Sequence, residues 1–280
     1  MKIVGVIDLC AGRAVHARGG IRADYAPVPS VAGVAVDGDP LRLARAYIDR
    51  FGIEELYVAD LDAIGGGAWQ CNLIRALTAL KVAVWLDAGT SSVECAERAI
   101  AVGAARVLVG LETLESYEKL HGICRAITHE RVTFSLDLRN GKPIRSTATT
   151  IDDEGAETIA RRAVNAGAGS LVMIDLARVG VGAGVDISLL QRVRVAVPDV
   201  TLLAGGGIRS AGDLQALAEA GCDGALVATA LHDGRITAAD IDAARNEPGT
   251  TNHQPLTTNQ SPPGTPPTGR SSPPPPSRWR

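Results

Sequence analysis

Short apolar runs alternate along the chain with longer stretches of helical periodicity. Eight runs, rich in Val, Ile and Leu, occupy residues 3–9, 56–61, 82–86, 106–109, 132–138, 170–176, 200–203 and 225–227. Amphipathic segments lie between most of them, for example at 40–51, 72–80, 92–102, 154–166, 188–197 and 211–220. Continuously apolar strands that alternate with such helices indicate a parallel sheet covered by helices. Eight units predict an α/β fold of the (β/α)8 TIM-barrel type.

An open, doubly wound sheet is the competing architecture, but it often carries a Gly-rich turn after its first strand. The turn here reads DLCAGR over residues 8–13, which is not that fingerprint. Similar motifs also recur in the same order in both halves of the chain, which predicts two half-barrel repeats of four units each. The matched pairs are 8–13 with 137–142, 58–61 with 173–176, 88–92 with 206–210, and 107–110 with 225–228.

Proline is concentrated at the end of the chain, where ten of the 15 prolines lie between Pro248 and Pro276. A segment with so few apolar residues cannot bury enough surface to offset its loss of conformational entropy. We therefore predict a barrel domain over residues 1–246 and a disordered tail over 247–280. A simple tether and a proline-rich docking ligand are both compatible with this tail.

Composition argues against two classes of partner. The formal net charge is −3 and aromatic residues make up 3% of the chain, which disfavours nucleic-acid binding. No apolar run approaches the roughly 18 residues that suggest a membrane span, and Asp8 interrupts the N-terminal run too early for a signal peptide. Five scattered cysteines without a Cys-x-x-Cys pair favour a cytoplasmic protein with free thiols.

Acidic residues stand at the predicted carboxyl ends of several strands, where barrel enzymes place their catalytic groups. Asp8 and Asp137 occupy related positions in the two halves. Two carboxylates facing one cleft can divide the roles of acid and base. The alternative is that each carboxylate caps its own loop. Asp60 and Asp175 are a second related pair, which we expect to contact substrate.

The loops after strands seven and eight carry the features of a phosphate site. Glycines let backbone N–H groups approach an anion, and this fold commonly binds phosphate there. A Gly-Gly-Gly run can also be a plain turn. The predicted phosphate-binding residues are Gly206, Gly207, Arg209, Ser210, Ala228 and Thr229.

The corresponding site in the first half carries Asp87 and Glu112, whose charge would repel a phosphate. We expect these residues to bind a hydroxyl-rich or amine-bearing end of the ligand, unless they point aside or pair with arginines. Arg18 and Arg22 lie in a glycine-rich loop that either holds an anionic substrate group or is merely solvated. His16 and His232 lack partners at ligand spacing, so neither a metal nor another cofactor is expected.

These motifs resemble the histidine-biosynthesis barrel family, which includes ProFAR isomerase and the cyclase subunit of imidazole glycerol phosphate synthase. The matching segments are 7–9, 12–13, 58–62, 136–137, 141–142, 205–210 and 230–236. The resemblance implies that Asp8 and Asp137 are the acid–base pair. It also implies an Amadori-type isomerisation of a phosphorylated, sugar-derived small molecule.

The chain departs from the family pattern at 87–92, after strand four and at 179–181. It looks more like a divergent group, related to both histidine enzymes, that occurs in methanogens and methylotrophs. That likeness implies an alternative role in making one-carbon cofactors of the methanopterin or methanofuran type. A non-catalytic barrel subunit is a further alternative, against which the retained aspartate pair argues. The sequence predicts neither the substrate nor the oligomeric state.

Overall fold

A computed structural model describes residues 1–146 and 149–246 of the chain. The tail predicted over 247–280 lies outside the described residues. Eight parallel strands, labelled β1 to β8, form the centre of the molecule. They span Lys2–Cys10, Glu55–Asp60, Ala83–Asp87, Arg106–Gly110, Val132–Arg139, Ser170–Asp175, Thr201–Gly205 and Gly224–Val227.

The sheet closes on itself. Each strand pairs in parallel with the next one along the chain. The ring is completed by β8 and β1, with Lys2 opposite Gly224 and Gly5 opposite Val227. In an open doubly wound sheet, these two strands would not pair with each other. The prediction of a (β/α)8 TIM barrel is therefore confirmed.

Helices follow the strands and surround the barrel. They are labelled α1 to α10 and span Pro40–Phe51, Leu61–Ile64, Cys71–Thr78, Val93–Ala101, Tyr117–Ile127, Ala156–Asn165, Ile187–Ala196, Ala211–Glu219, Thr229–His232 and Ala238–Asn246. Local sequence explains where α1 begins and ends. The Asp39 side chain accepts hydrogen bonds from the N–H groups of Leu41 and Arg42, and Gly52 ends the helix in a left-handed conformation. No helix in the described part of the chain is long and apolar enough to cross a membrane.

Shorter elements lie in the connecting loops, most of them at the carboxyl ends of the strands. After β1, residues Arg13–His16 fold back antiparallel to it and pair with Ala26–Pro27. Two further two-residue strands, Ser30–Val31 and Val34–Ala35, form a small hairpin. The strand Lys142–Pro143 pairs with β5. Short 3₁₀ helices span Arg22–Asp24, His129–Arg131 and Leu176–Arg178.

Side chains alternate between the two faces of each strand. This alternation divides the buried apolar residues into two clusters, one on each face of the sheet. Residues facing the helices form the larger core cluster, as Ile3 and Ile7 of β1 do. A second cluster fills the barrel interior and includes Val4 of the same strand. Because successive side chains of a strand point to opposite faces, this register decides which strand-end residues face the interior.

Candidate active site

A cavity of about 330 Å³ opens at the carboxyl ends of the strands. Apolar interior residues such as Val6, Ile174 and Leu226 form its floor. Its charged and polar lining residues are Asp8, His16, Arg22, Tyr25, Tyr57, Asp87, Glu112, Asp137, Arg139, Thr229, His232 and Arg235.

Strand register brings the predicted catalytic pair together. Asp8 continues the interior face of β1 after Val4 and Val6. Asp137 continues the interior face of β5 after Ser135, whose hydroxyl donates a hydrogen bond of 2.9 Å to the Asp137 carboxylate. In an eight-stranded ring β1 and β5 are diametrically opposite, so the two carboxylates enter the cavity from opposite walls.

Burial alters the proton affinity of both carboxylates. It raises the pKa of Asp8 to about 7, with a further contribution from the charge of Asp87. It also raises the pKa of Asp137 well above its usual range, reinforced by the charges of Glu112 and Asp87 and opposed by the Ser135 hydrogen bond. Near neutral pH, Asp8 therefore exchanges a proton readily, and burial shifts Asp137 toward its protonated form.

The first-half site contains a further buried carboxylate, that of Asp87. Tyr57 donates a hydrogen bond of 3.0 Å to Asp87, and the Gly89 N–H donates another of 3.3 Å. Burial raises the pKa of Asp87 to about 6. The neighbouring Glu112 lines the cavity and has no hydrogen bond or ion pair with any described residue. This wall therefore presents negative charge to the cavity at neutral pH.

The loop after β7 approaches other backbone segments so closely that it excludes side chains. Gly206 and Gly207 have φ angles of +84° and +101°. A Cβ at Gly206 would lie 2.6 Å from the Asp175 carbonyl oxygen, and one at Gly207 would lie 2.6 Å from that of Gly184. Both glycines line the cavity, as do Ala228 and Thr229 after β8.

Two other residues predicted to bind phosphate lie outside the lining. The Arg209 guanidinium forms an ion pair of 2.9 Å with Asp213, four residues further on. Ser210 caps α8 by accepting a hydrogen bond of 3.4 Å from the Asp213 N–H. Both side chains thus stabilise the start of a helix in this structure.

The second acidic pair also lies outside the cavity, because Asp60 and Asp175 fall on the opposite face of their strands from the interior residues. Asp60 is fully buried and accepts hydrogen bonds from Gln70 N and Nε2 at 2.8 and 3.0 Å. Asp175 accepts bonds from the N–H groups of Asn140 and Gly141 at 3.1 and 3.0 Å. Each carboxylate therefore ties loops together.

The two loop arginines differ in position. Arg22 lines the cavity, and its guanidinium makes no hydrogen bond or ion pair with any described residue. It is close enough to Asp87 to oppose the rise of that residue's pKa. Arg18 is exposed and is not among the lining residues. Of the two, Arg22 is placed to contact a ligand.

Sequence reasoning missed Tyr57, Arg139 and Arg235, which line the cavity. The position of Tyr57 was detectable, because it stands two residues before Ala59 on an interior face. Arg139 is the last residue of β5 and stands two positions after Asp137, so the same alternation could have placed it on the interior face. Arg235 lies in the loop after α9, where the sequence pattern indicates no register. The Arg235 guanidinium pairs with Asp233 at 2.9 Å.

A chain of polar groups links the loops after β1 and β8. His16 Nε2 lies 2.8 Å from the Thr229 hydroxyl. The His16 ring meets His232 edge-on at a centroid distance of 5.4 Å, and His232 Nε2 lies 2.6 Å from the Tyr47 hydroxyl. Within residues 1–146 and 149–246, no group of three or more His, Cys, Asp or Glu side chains could hold a metal ion.

Comparisons with known proteins agree with this architecture. A family model described as histidine biosynthesis protein matches residues 2–237. An imidazole-4-carboxamide isomerase of Thermus thermophilus, whose full name contains two 5-phosphoribosyl groups, is 31% identical over 237 residues, covering 84% of this chain and 96% of the relative. The same isomerase of a Synechococcus strain is 32% identical over 238 residues, covering 84% of this chain and 90% of the relative.

A relative without an assigned activity is similar to the same extent. An uncharacterized protein of the methanogen Methanocaldococcus jannaschii is 30% identical over 248 residues. The match covers 86% of this chain and 97% of the relative.

Proposed function

The chain belongs to the histidine biosynthesis protein family, and on that premise we propose that it is an isomerase acting on a phosphorylated, sugar-derived small molecule. The observation that carries the proposal is the entry of Asp8 and Asp137 into one cavity from opposite walls. Their shifted pKa values suit an acid and a base at neutral pH. The family's curated relatives in Thermus and Synechococcus are isomerases.

The two carboxylates divide the chemistry of an aldose-to-ketose rearrangement of an aminosugar. Asp137, whose protonated form burial favours, donates its proton to the ring oxygen as the C1–O bond breaks. Asp8, which ionises near neutral pH, removes the proton from C2. The resulting enolamine tautomerises to the aminoketose, so the overall reaction is an isomerisation that requires no redox partner. The scheme uses no cofactor.

The phosphate of the substrate lies at the loops after β7 and β8. Gly206 and Gly207 allow the ligand to approach the backbone, and Thr229 supplies a hydroxyl. Arg235 adds a cation on the same side of the cavity. The opposite wall, with Asp87 and Glu112, takes a hydroxyl-rich or amine-bearing end of the substrate, because a second phosphate would meet negative charge there.

A second candidate is a related enzyme of one-carbon cofactor biosynthesis that acts on a different phosphorylated substrate. Two observations favour it. Acidic residues replace a phosphate site on the first-half wall, and the methanogen relative is as similar as the isomerases are. A non-catalytic subunit is disfavoured, because such a protein has no need of two buried carboxylates that destabilise the fold.

The direct test combines a purified assay with complementation of a histidine auxotroph that lacks ProFAR isomerase. The variants are Asp8→Asn and Asp137→Asn, with Asp49→Asn as a control on the exposed face of α1. Isomerase turnover that falls at least about 100-fold in both site variants, and not in the control, supports the proposal. Turnover unaffected by Asp8→Asn refutes the acid–base scheme. No growth and no turnover, with phosphate binding retained, selects the second candidate.

A further inference from the structure

The loop after β1 touches the proposed phosphate site through the side chain of His16. His16 lies in the strand that folds back from β1, and its Nε2 is 2.8 Å from the Thr229 hydroxyl oxygen. Both side chains are half-buried and line the cavity. A residue 213 positions away in sequence therefore controls one hydroxyl of the site.

The direction of this hydrogen bond decides what Thr229 can offer a ligand. A threonine hydroxyl has one proton and two acceptor lone pairs. If Thr229 gives its proton to His16, only lone pairs remain for a phosphate dianion, whose oxygens are themselves acceptors. If His16 donates its Nε2–H to Thr229, the threonine proton is free to point at the phosphate.

Neighbouring groups hold the His16 ring in one orientation. His232 packs edge-on against it with an interplanar angle of 83°, and His232 is itself held by the Tyr47 hydroxyl at 2.6 Å. Burial lowers the pKa of His16, and the charge of Arg18 lowers it further. Burial also lowers the pKa of His232 to about 4. Both imidazoles are thus neutral at pH 7, and His16 Nδ1 makes no hydrogen bond with a described residue.

We propose that His16 is a positioning residue that donates its Nε2–H to Thr229 and so directs the Thr229 hydroxyl proton toward the phosphate of the ligand. This inference rests on the phosphate site of the proposed function, and it adds a donor chain from His16 through Thr229 to the phosphate oxygen. The chain strengthens phosphate binding, because a hydroxyl that accepts one hydrogen bond donates a better one.

The test measures binding of inorganic phosphate to the full chain by calorimetry. His16→Phe keeps the edge-on ring contact and removes the donor, whereas His16→Gln places an amide N–H near the position of Nε2. His129→Phe is the matched control, because His129 is exposed in the 3₁₀ turn before β5, at the other end of the barrel. We expect affinity to fall about 5-fold in His16→Phe, to recover in His16→Gln and to stay unchanged in His129→Phe.

Thr229→Val separates this inference from the proposed function. That variant should weaken phosphate binding about 10-fold or more, and adding His16→Phe to it should cause no further loss. If Thr229→Val weakens binding while His16→Phe leaves it intact, the phosphate site stands and the inference is overturned. A wild-type chain that binds no phosphate overturns both.

The tautomer of His16 supplies an independent readout that needs no variant. Long-range proton–nitrogen NMR spectra of the ¹⁵N-histidine-labelled chain, recorded near pH 7.5 with phosphate, should show Nε2 of His16 protonated and Nδ1 bare. A protonated Nδ1 with a bare Nε2 would overturn the donor chain even if His16→Phe failed to fold.

Discussion

At the scale of single residues, aspartate carboxyl groups that are chemically identical behave differently according to where they lie in the fold. Asp8 and Asp137 are held where burial raises their pKa values, and each sits beside other acids rather than beside a cation. Asp60, by contrast, is buried and accepts hydrogen bonds from the backbone and side-chain amides of Gln70. Position in the fold therefore determines which aspartates face the cavity and which tie loops together.

The pH dependence of turnover follows from these shifts. Because Asp8 acts as the base and has a pKa of about 7, kcat/KM should rise about tenfold per pH unit below that value and level off above it. The alkaline limit belongs to Asp137, the proposed acid, whose pKa is also raised by burial. Ser135→Ala removes a hydrogen bond that favours the ionised form of Asp137, so it should move only the alkaline limit upward. An acid limb that moves with Ser135→Ala would contradict the assignment.

The charge at Asp87 should set which ligands enter the first-half wall. Asp87→Asn removes the charge while keeping the shape, so it should tighten binding of a ligand with a phosphate at each end by several-fold. Tyr57→Phe, assayed at about pH 8 so that Asp87 stays ionised, is the matched control, because it removes the hydroxyl bonded to Asp87 and leaves the carboxylate in place. Competitive binding of a sugar bisphosphate measures both. Equal affinities in the wild type and Asp87→Asn would mean that Asp87 does not exclude phosphate.

At the scale of elements, the strand register explains what the sequence could and could not predict. Alternating apolar strands and helices were sufficient for the barrel, because each element carries its own periodicity. The same alternation separates Asp8, which shares a face with Val4, from Asp60, which does not share a face with Ala59. The predicted role of Asp60 ignored this register.

Contacts between distant loops were outside the reach of the sequence. Tyr47 and His232 are 185 positions apart, and they meet only because β8 pairs with β1. The half-barrel repeat stays a prediction, since internal similarity was inferred from short motifs. The pairing of Arg209 with Asp213, by contrast, joins residues only four positions apart at the start of α8, which is a spacing that the sequence shows.

Glycine-to-alanine substitution tests whether phosphate binding depends on the shape of the loop after β7. Gly206→Ala would place a Cβ 2.6 Å from the Asp175 carbonyl oxygen at a φ of +84°, so we expect loss of inorganic phosphate binding. Gly12→Ala is the control, because Gly12 has a φ of +79° but a Cβ added there would meet no atom within 4 Å. Both variants should lose about 1 kcal/mol of stability through backbone strain, and Gly206→Ala should lose more, because the clash with the Asp175 carbonyl oxygen forces the backbone to shift. Only Gly206→Ala should lose phosphate, and retained binding would show that this loop is not the anion site.

At the scale of the whole molecule, the candidate site lowers the stability of the fold that carries it. A carboxyl group whose pKa is raised on folding binds its proton more tightly in the folded state than in the unfolded state. Below pH 3.8, the pKa of the carboxyl group in the unfolded state, the group has no effect on stability. As the pH rises from there toward about 7, the pKa of Asp8 in the folded state, stability is lost. The barrel therefore tolerates an energetic cost at Asp8 that grows between these two values.

Asp8→Asn removes that cost and should stabilise the chain in a pH-dependent way. We expect almost no gain in the free energy of unfolding at pH 4, an increase through pH 6, and a plateau above pH 7 of up to about 4 kcal/mol at one pKa unit per 1.4 kcal/mol. Urea unfolding at several pH values measures the gain, with Asp49→Asn as the control on the outer helix. A gain that is the same at pH 4 and pH 8 would mean that the folded state does not retain a proton on Asp8. Asp8 would then lack the pKa near neutrality that the acid–base scheme requires of its base.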